Sequence, residues 1–153
     1  MEYTEHDQIS LDLDWFAIDG EGQIAHFASA GRPLPKSVSQ SQEDNTFVSE
    51  FFRSLPATKT IGEADSEITS HVTFESPEMR SRYLTDFESM GFRGLYSYDT
   101  TLPGADQLFF RVYSPGEPLK IADLPLEVAM ILQRTRFGGN FHDDRILKLE
   151  DIT

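Results

Sequence analysis

The chain is 153 residues long, carries 13 Lys and Arg against 26 Asp and Glu for a net charge of −13, and contains no cysteine. That length suits one ordinary domain, the missing thiols exclude disulfide staples and thiolate metal sites, and the acid excess disfavours nucleic acid, which needs clustered cations. The charge is uneven: residues 1–75 hold 14 acids against 4 cations, and residues 76–153 hold 12 against 9.

The opening MEYTEHDQISLDLDW lacks the basic start and apolar run of a signal peptide. No window approaches the roughly 20 apolar residues of a membrane span, so a cytoplasmic protein without a membrane partner is expected. Next, DWFAID and QIAHFAS alternate imperfectly around DGEG, which predicts a β-hairpin over residues 13–28 centred on Gly20 and Glu21. A loop of two or four residues sets Trp15 opposite His26. Phe16, Ile18, Ala25 and Phe27 then share one face and Trp15, Ala17, Ile24 and His26 the other, so both faces carry apolar bulk.

GRPLPKSVSQ reads as loop. A helix is predicted after Ser41, because Ser41 and Asp44 have the S-x-x-D spacing of a capping box, Phe47, Val48, Phe51, Phe52 and Leu55 follow the helical period, and Pro56 ends it. ATKTIGEADS is a connecting loop and EITSHVTF a half-exposed strand. A second helix is capped by Ser76, opened by Pro77, striped by Met79, Tyr83, Phe87 and Met90, and stopped by Gly91. FRGLYSYD and QLFFRVYS are expected as antiparallel neighbours joined by TTLPGA. The run IADLPLEVAMILQRTRFGG suits either a buried strand or a helix; a helix from Leu124 to Thr135 capped by Asp123 is preferred, and RILKLED supplies a last strand. The expectation is a single α+β domain over residues 1–153, with a mostly antiparallel sheet and about three helices packed against it.

Signatures of chemistry are sparse. Asp12, Asp14 and Asp19 with two glycines suggest a calcium loop, but Phe16 stands fifth from Asp12 and Ala25 twelfth from Asp14, where ligands are required. Turn formation explains them better. His142, Asp143 and Asp144 are adjacent, and adjacent residues rarely converge on one ion, so they read as a solvated turn. There is no nucleophile elbow and no phosphate loop. No catalytic residue, metal or cofactor is expected. The aromatics around Arg93 and Arg111 read as core and sheet packing, not as a base-stacking surface.

The run Asp14, Trp15, Phe16, Asp19, Gly22, Ile24, Ala25, Phe27, Ser29 and Gly31 forms the pattern D-W-F-x-x-D-x-x-G-x-I-A-x-F-x-S-x-G. It resembles the start of small uncharacterised bacterial proteins that are similar to immunity proteins of toxin systems. The segments LPLEVAMIL and ILKLEDI are compatible with the same group but less specific. The resemblance implies a non-enzymatic protein that neutralises a toxin and brings no catalytic residues with it. Acidity implies a basic protein partner, with Asp12, Asp14, Glu43 and Asp44 steering it and Trp15 with His26 as contact residues. The alternatives are a small-ligand or regulatory domain with a pocket beside the hairpin, and a hydrolase using His26 or His142.

Overall fold

The computed structural model describes residues 1–58, 60–100 and 108–153. Its elements are α1 (Glu5–Ser10), β1 (Asp14–Ile18), β2 (Ile24–Ala28), α2 (Lys36–Ser39), α3 (Gln42–Ser54), β3 (Glu63–Ala64), α4 (Pro77–Phe92), β4 (Tyr96–Thr100), β5 (Leu108–Ser114), α5 (Leu126–Leu132) and β6 (Ile146–Lys148). The fold is α+β, as expected. The sheet is mostly antiparallel, also as expected, but mixed: β1–β2, β4–β5, β3–β5 and β5–β6 pair antiparallel, whereas β2 and β4 pair parallel. The connection from β2 to β4 carries α3 and α4, and a crossover of that length can return a strand in the same direction.

The β1–β2 hairpin forms with a register one residue away from the expected one. Trp15 lies opposite Phe27 and Phe16 opposite His26. The turn is the reason. Asp19 and Gln23 close a three-residue loop, with the Gln23 carbonyl accepting from the Asp19 amide and the Asp19 carbonyl from the Gly22 amide. Gly22 takes the left-handed φ of 76° that this loop type requires. An odd loop moves every pair by one and re-sorts the faces. Trp15, Ala17, Ala25 and Phe27 look into one cluster with Tyr98, Phe109, Phe141 and Leu147, while Phe16, Ile18 and Ile24 meet Val48 and Phe52 of α3 and Val128 and Leu132 of α5.

Both hairpin faces are therefore covered, one by helices and the other by the sheet itself. The free edge of β1 continues the ladder, since the Ile18 amide donates to the Thr135 carbonyl and the Phe137 amide to the Ile18 carbonyl. Arg136 and Thr153 exchange both backbone bonds, and Thr153 follows β6 after one 3-10 turn over Leu149–Asp151. The sheet thus curls back towards its own start around an aromatic interior. A third cluster forms where α4 lays Leu84 and Phe87 on Phe110 and Val112 of β5.

The helix after Ser41 is α3, and the Ser41 hydroxyl accepts from the Asp44 amide. The helix after Ser76 is α4, with the same cap to Met79. Two details of α4 differ from the pattern reading. Met79 is exposed and Leu84 buried, and Gly91 lies inside the helix, where the Tyr113 ring presses against it so closely that a Cβ would sit 2.3 Å from a ring carbon. The turn after the helix is made by Gly94.

Helix α5 starts later than expected because Pro125 disfavours helical angles at Leu124, which is extended at φ −95° and ψ 154°, and it ends at Leu132, before Thr135 joins the edge of β1. Asp123 instead accepts the Lys120 amide within the preceding turn. EITSHVTF is not a strand. Asp65 accepts from the Glu67 and Ile68 amides, the chain turns through Ile68–Ser70, and the edge of β5 is taken by β6 and by β3, a segment expected as loop. Most of the TTLPGA link lies outside the described residues. Among the described residues no helix is long and apolar enough to cross a membrane.

Candidate functional site

The outer face of the hairpin carries a buried polar chain. His26 of β2 stands beside Ser97 of β4, and β1 places Asp14 at the end of the neighbouring strand. His26 Nε2 lies 2.7 Å from Asp14 Oδ1, and Nδ1 lies 3.2 Å from Ser97 Oγ. Arg53, at the end of α3, spans the outside of this chain, with Nη2 2.5 Å from Asp14 and Nη1 3.0 Å from Asp86 of α4. The residue types are those of a hydrolase triad, but His26 and Ser97 are both fully buried. Both ring nitrogens of His26 are thereby partnered, Nε2 by the Asp14 carboxylate and Nδ1 by the Ser97 hydroxyl. In this arrangement no substrate atom reaches Ser97, and the chain ties three strands and two helices together.

Asp14, His26 and Asp86 each offer one ligand atom, and those atoms lie within 4.8 Å of one another. The Arg53 guanidinium bridges the two carboxylates, so a cation entering there must displace it. Burial raises the Asp14 carboxyl, but hydrogen bonds and charge from His26 and Arg53 outweigh that and hold it at about 2. A depressed carboxyl contributes stability above its unfolded value and loses it as pH falls through the folded one. A drop from the ordinary aspartate value of 3.8 to about 2 corresponds to roughly 2 kcal/mol. Acid unfolding curves are expected to show this loss between about pH 4 and pH 2. Asp14→Asn should remove that part of the slope, and an unchanged slope would show that Asp14 does not supply it.

The six residues named from the sequence do not form one surface. Trp15 is fully buried, stacks on Phe27 at 4.1 Å and meets Phe109 edge-on at 5.6 Å, so it offers nothing to a partner. His26 is sealed on the other side of the sheet. Asp14 is half-buried in the chain just described. Asp12 is exposed and accepts the Ala30 amide. Glu43 and Asp44 lie together on the first turn of α3, where acids complement the helix dipole; Glu43 meets the Met1 amine at 2.7 Å and Asp44 meets Arg134 at 2.5 Å.

The sequence reading missed a cleft of about 540 Å³ at the far edge of the sheet from the hairpin, between the end of β5, β3 and the loop before β6. Glu63, Ser114, His142, Asp143 and Arg145 line it, and Arg111 forms part of its floor. Arg111 is nearly buried. Its Nε and Nη2 lie 3.1 and 3.0 Å from Asp65, and its Nη1 donates to the Phe141 and His142 carbonyls. The same loop is fixed from behind. Asp19 accepts from the Phe141 amide, the Gln23 amide and side chain, and the Glu21 amide, while the Tyr98 hydroxyl donates to the Asp144 carbonyl at 2.7 Å and lies 3.2 Å from that of Phe141. His142 and Asp143 are left exposed at the tip. No family model, no curated protein and no solved structure matches this chain.

Asp19 closes the hairpin turn and holds the distant loop with one buried carboxylate. Asp19→Ala is expected to cost about 2–4 kcal/mol, since it strips the partners from two buried amides. Chemical denaturation of the variant measures this; a cost below about 1 kcal/mol would mean that the loop holds without Asp19.

Proposed function

We propose that this chain is a non-enzymatic acidic binding protein of the immunity type, which neutralises a basic toxin domain by occupying it. The observation that carries the reading is the charge: 26 Asp and Glu stand against 13 Lys and Arg, a net charge of −13. Such a field speeds encounter with a basic protein and repels phosphate backbones. The burial of the Asp14–His26–Ser97 chain supports the same reading, because the most catalytic-looking residues here serve packing. The sequence pattern from Asp14 to Gly31 contributes less than its length suggests, since its residues have internal roles.

Low-salt capture on the tagged protein from its native cells tests this reading. The expected catch is a basic protein, encoded beside this chain, that is released as salt rises. Association with that protein should slow and lose its salt dependence when the exposed acids Asp12, Glu43 and Glu50 are changed to neutral amides. A rate unchanged by those substitutions would remove electrostatic steering.

A second reading is favoured by the cleft, whose volume falls in the range of small-molecule sites. It predicts a saturable rise in melting temperature with one member of a metabolite set, abolished by Arg145→Ala.

A further inference from the structure

Helices α3 and α5 pack side by side on the sheet, and Asp44 near the start of one pairs with Arg134 beyond the end of the other. The two helices therefore run in opposite directions. Their inner faces are used up: Val48 and Phe52 of α3, and Val128, Ala129 and Leu132 of α5, are buried. Their outer faces are unusual for solvent-facing helices. Leu126 and Met130 stand one turn apart on α5 with 74% and 57% of their surface exposed, and Phe47 on α3 is 42% exposed. Three large apolar side chains are thus left exposed on this pair of packed helices.

The charges between them are acidic. Glu43, which holds the Met1 amine, and Glu50 lie one turn either side of Phe47, Glu127 lies between Leu126 and Met130 in sequence, and all three are exposed. The cations on these helices are already engaged, Arg53 by Asp14 and Asp86, and Arg134 by Asp44. Apolar anchors inside an acidic rim are the arrangement that an amphipathic basic helix complements, since its own apolar residues recur every three to four positions and its cations flank them. Two antiparallel helices also offer a shallow groove into which a third can lay its ridge.

We propose that the α3–α5 face is the docking surface, that it takes a basic amphipathic helix of the partner, and that Phe47, Leu126 and Met130 are its apolar anchors. The proposal rests on the binding-protein reading above and places the contact on the helices instead of the hairpin.

The probe is a synthetic helix of about 20 residues built from Leu and Lys at amphipathic spacing, with a Leu–Glu version of the same pattern as control. Amide shifts of the labelled protein report where each binds. The expected result is saturable shifts centred on residues 43–51 and 126–134 with the Lys peptide and none with the Glu peptide. Affinity should fall about tenfold or more in Phe47→Ser combined with Met130→Ser, whose exposed positions leave folding intact.

Shifts centred on α1 or on the cleft, or spread evenly over the acidic surface, would overturn the proposal. So would concentration-dependent shifts of the same residues in the free protein, which would assign the face to a second copy of this chain. The two readings fail separately. If the wild-type chain neutralises its toxic neighbour and the Phe47→Ser, Met130→Ser variant does so equally well, this face is not the contact. If the wild-type chain does not neutralise it, the functional reading itself fails.

Discussion

Replacing Trp15 by Ala is expected to lower the unfolding free energy by about 3–5 kcal/mol, a large share of the roughly 5–15 kcal/mol that holds a typical domain. The expectation follows from position. Trp15 is fully buried, lies on Phe27 ring to ring, and meets Phe109 at its edge, so its removal opens a void at the centre of the aromatic interior. Its indole N–H has no hydrogen-bond partner among the described residues, so no polar contact is lost with it. Trp15→Phe should accordingly cost much less than Trp15→Ala. As the chain's single tryptophan, Trp15 also reports directly on its own surroundings. Its emission should be blue-shifted, resistant to acrylamide, and unchanged by a bound partner. Strong quenching in the folded protein would contradict the closed interior.

Arg111→Leu is the second substitution with a large expected effect, again about 3–5 kcal/mol, because it leaves the Asp65 carboxylate buried without its closest cation. Arg145 stands 3.6 Å from the same carboxylate but is half exposed and does not replace a buried donor pair. Arg111 also holds the Phe141 and His142 carbonyls, so its loss should loosen the loop that forms one wall of the cleft. Adding Asp65→Leu to Arg111→Leu should recover part of the stability, since the stranded charge goes with it. A double variant less stable than either single one would place the cost in the loop carbonyls and not in the ion pair.

Local signals in the sequence were legible where a short stretch determines its own conformation. Ser41 with Asp44 and Ser76 with Pro77 mark two helix starts, and both helices begin there. Thr4 with Asp7 has the same spacing and caps α1, a helix that the pattern reading passed over because α1 buries nothing. The hairpin was legible but its register was not, because register depends on whether the loop holds an odd or even number of residues. Asp19, Gly20, Glu21, Gly22 and Gln23 are compatible with either. EITSHVTF has the alternation of a strand, yet Asp65 turns the chain and β5 has no free edge to offer. That competition is tertiary and leaves no trace in eight residues.

The site was less legible than the fold. Trp15 and His26 stand out in the sequence because an apolar hairpin with two bulky faces leaves one side without an evident cover. The cover comes from Leu147, Phe137 and Ile152, more than 100 residues away in sequence, through a sheet that curls on itself. The pattern from Asp14 to Gly31 is accordingly a record of folding needs: Asp19 and Gly22 make the turn, Trp15 and Phe27 fill the interior, and Ser29 accepts the Leu13 amide. Residues that meet a partner need not show such a pattern. Phe47, Leu126 and Met130 sit on regular amphipathic helices and are told apart from core residues only once the packing is known.

Growth is the most direct measure of the proposed neutralisation of a basic toxic protein by this acidic chain. The product of the adjacent gene would be expressed in a sensitive host alone, with this chain, and with the variant lacking the Phe47 and Met130 side chains. Arrest is expected in the first culture, full growth in the second and arrest again in the third. Normal growth in the first culture, or arrest that this chain does not relieve, would contradict neutralisation.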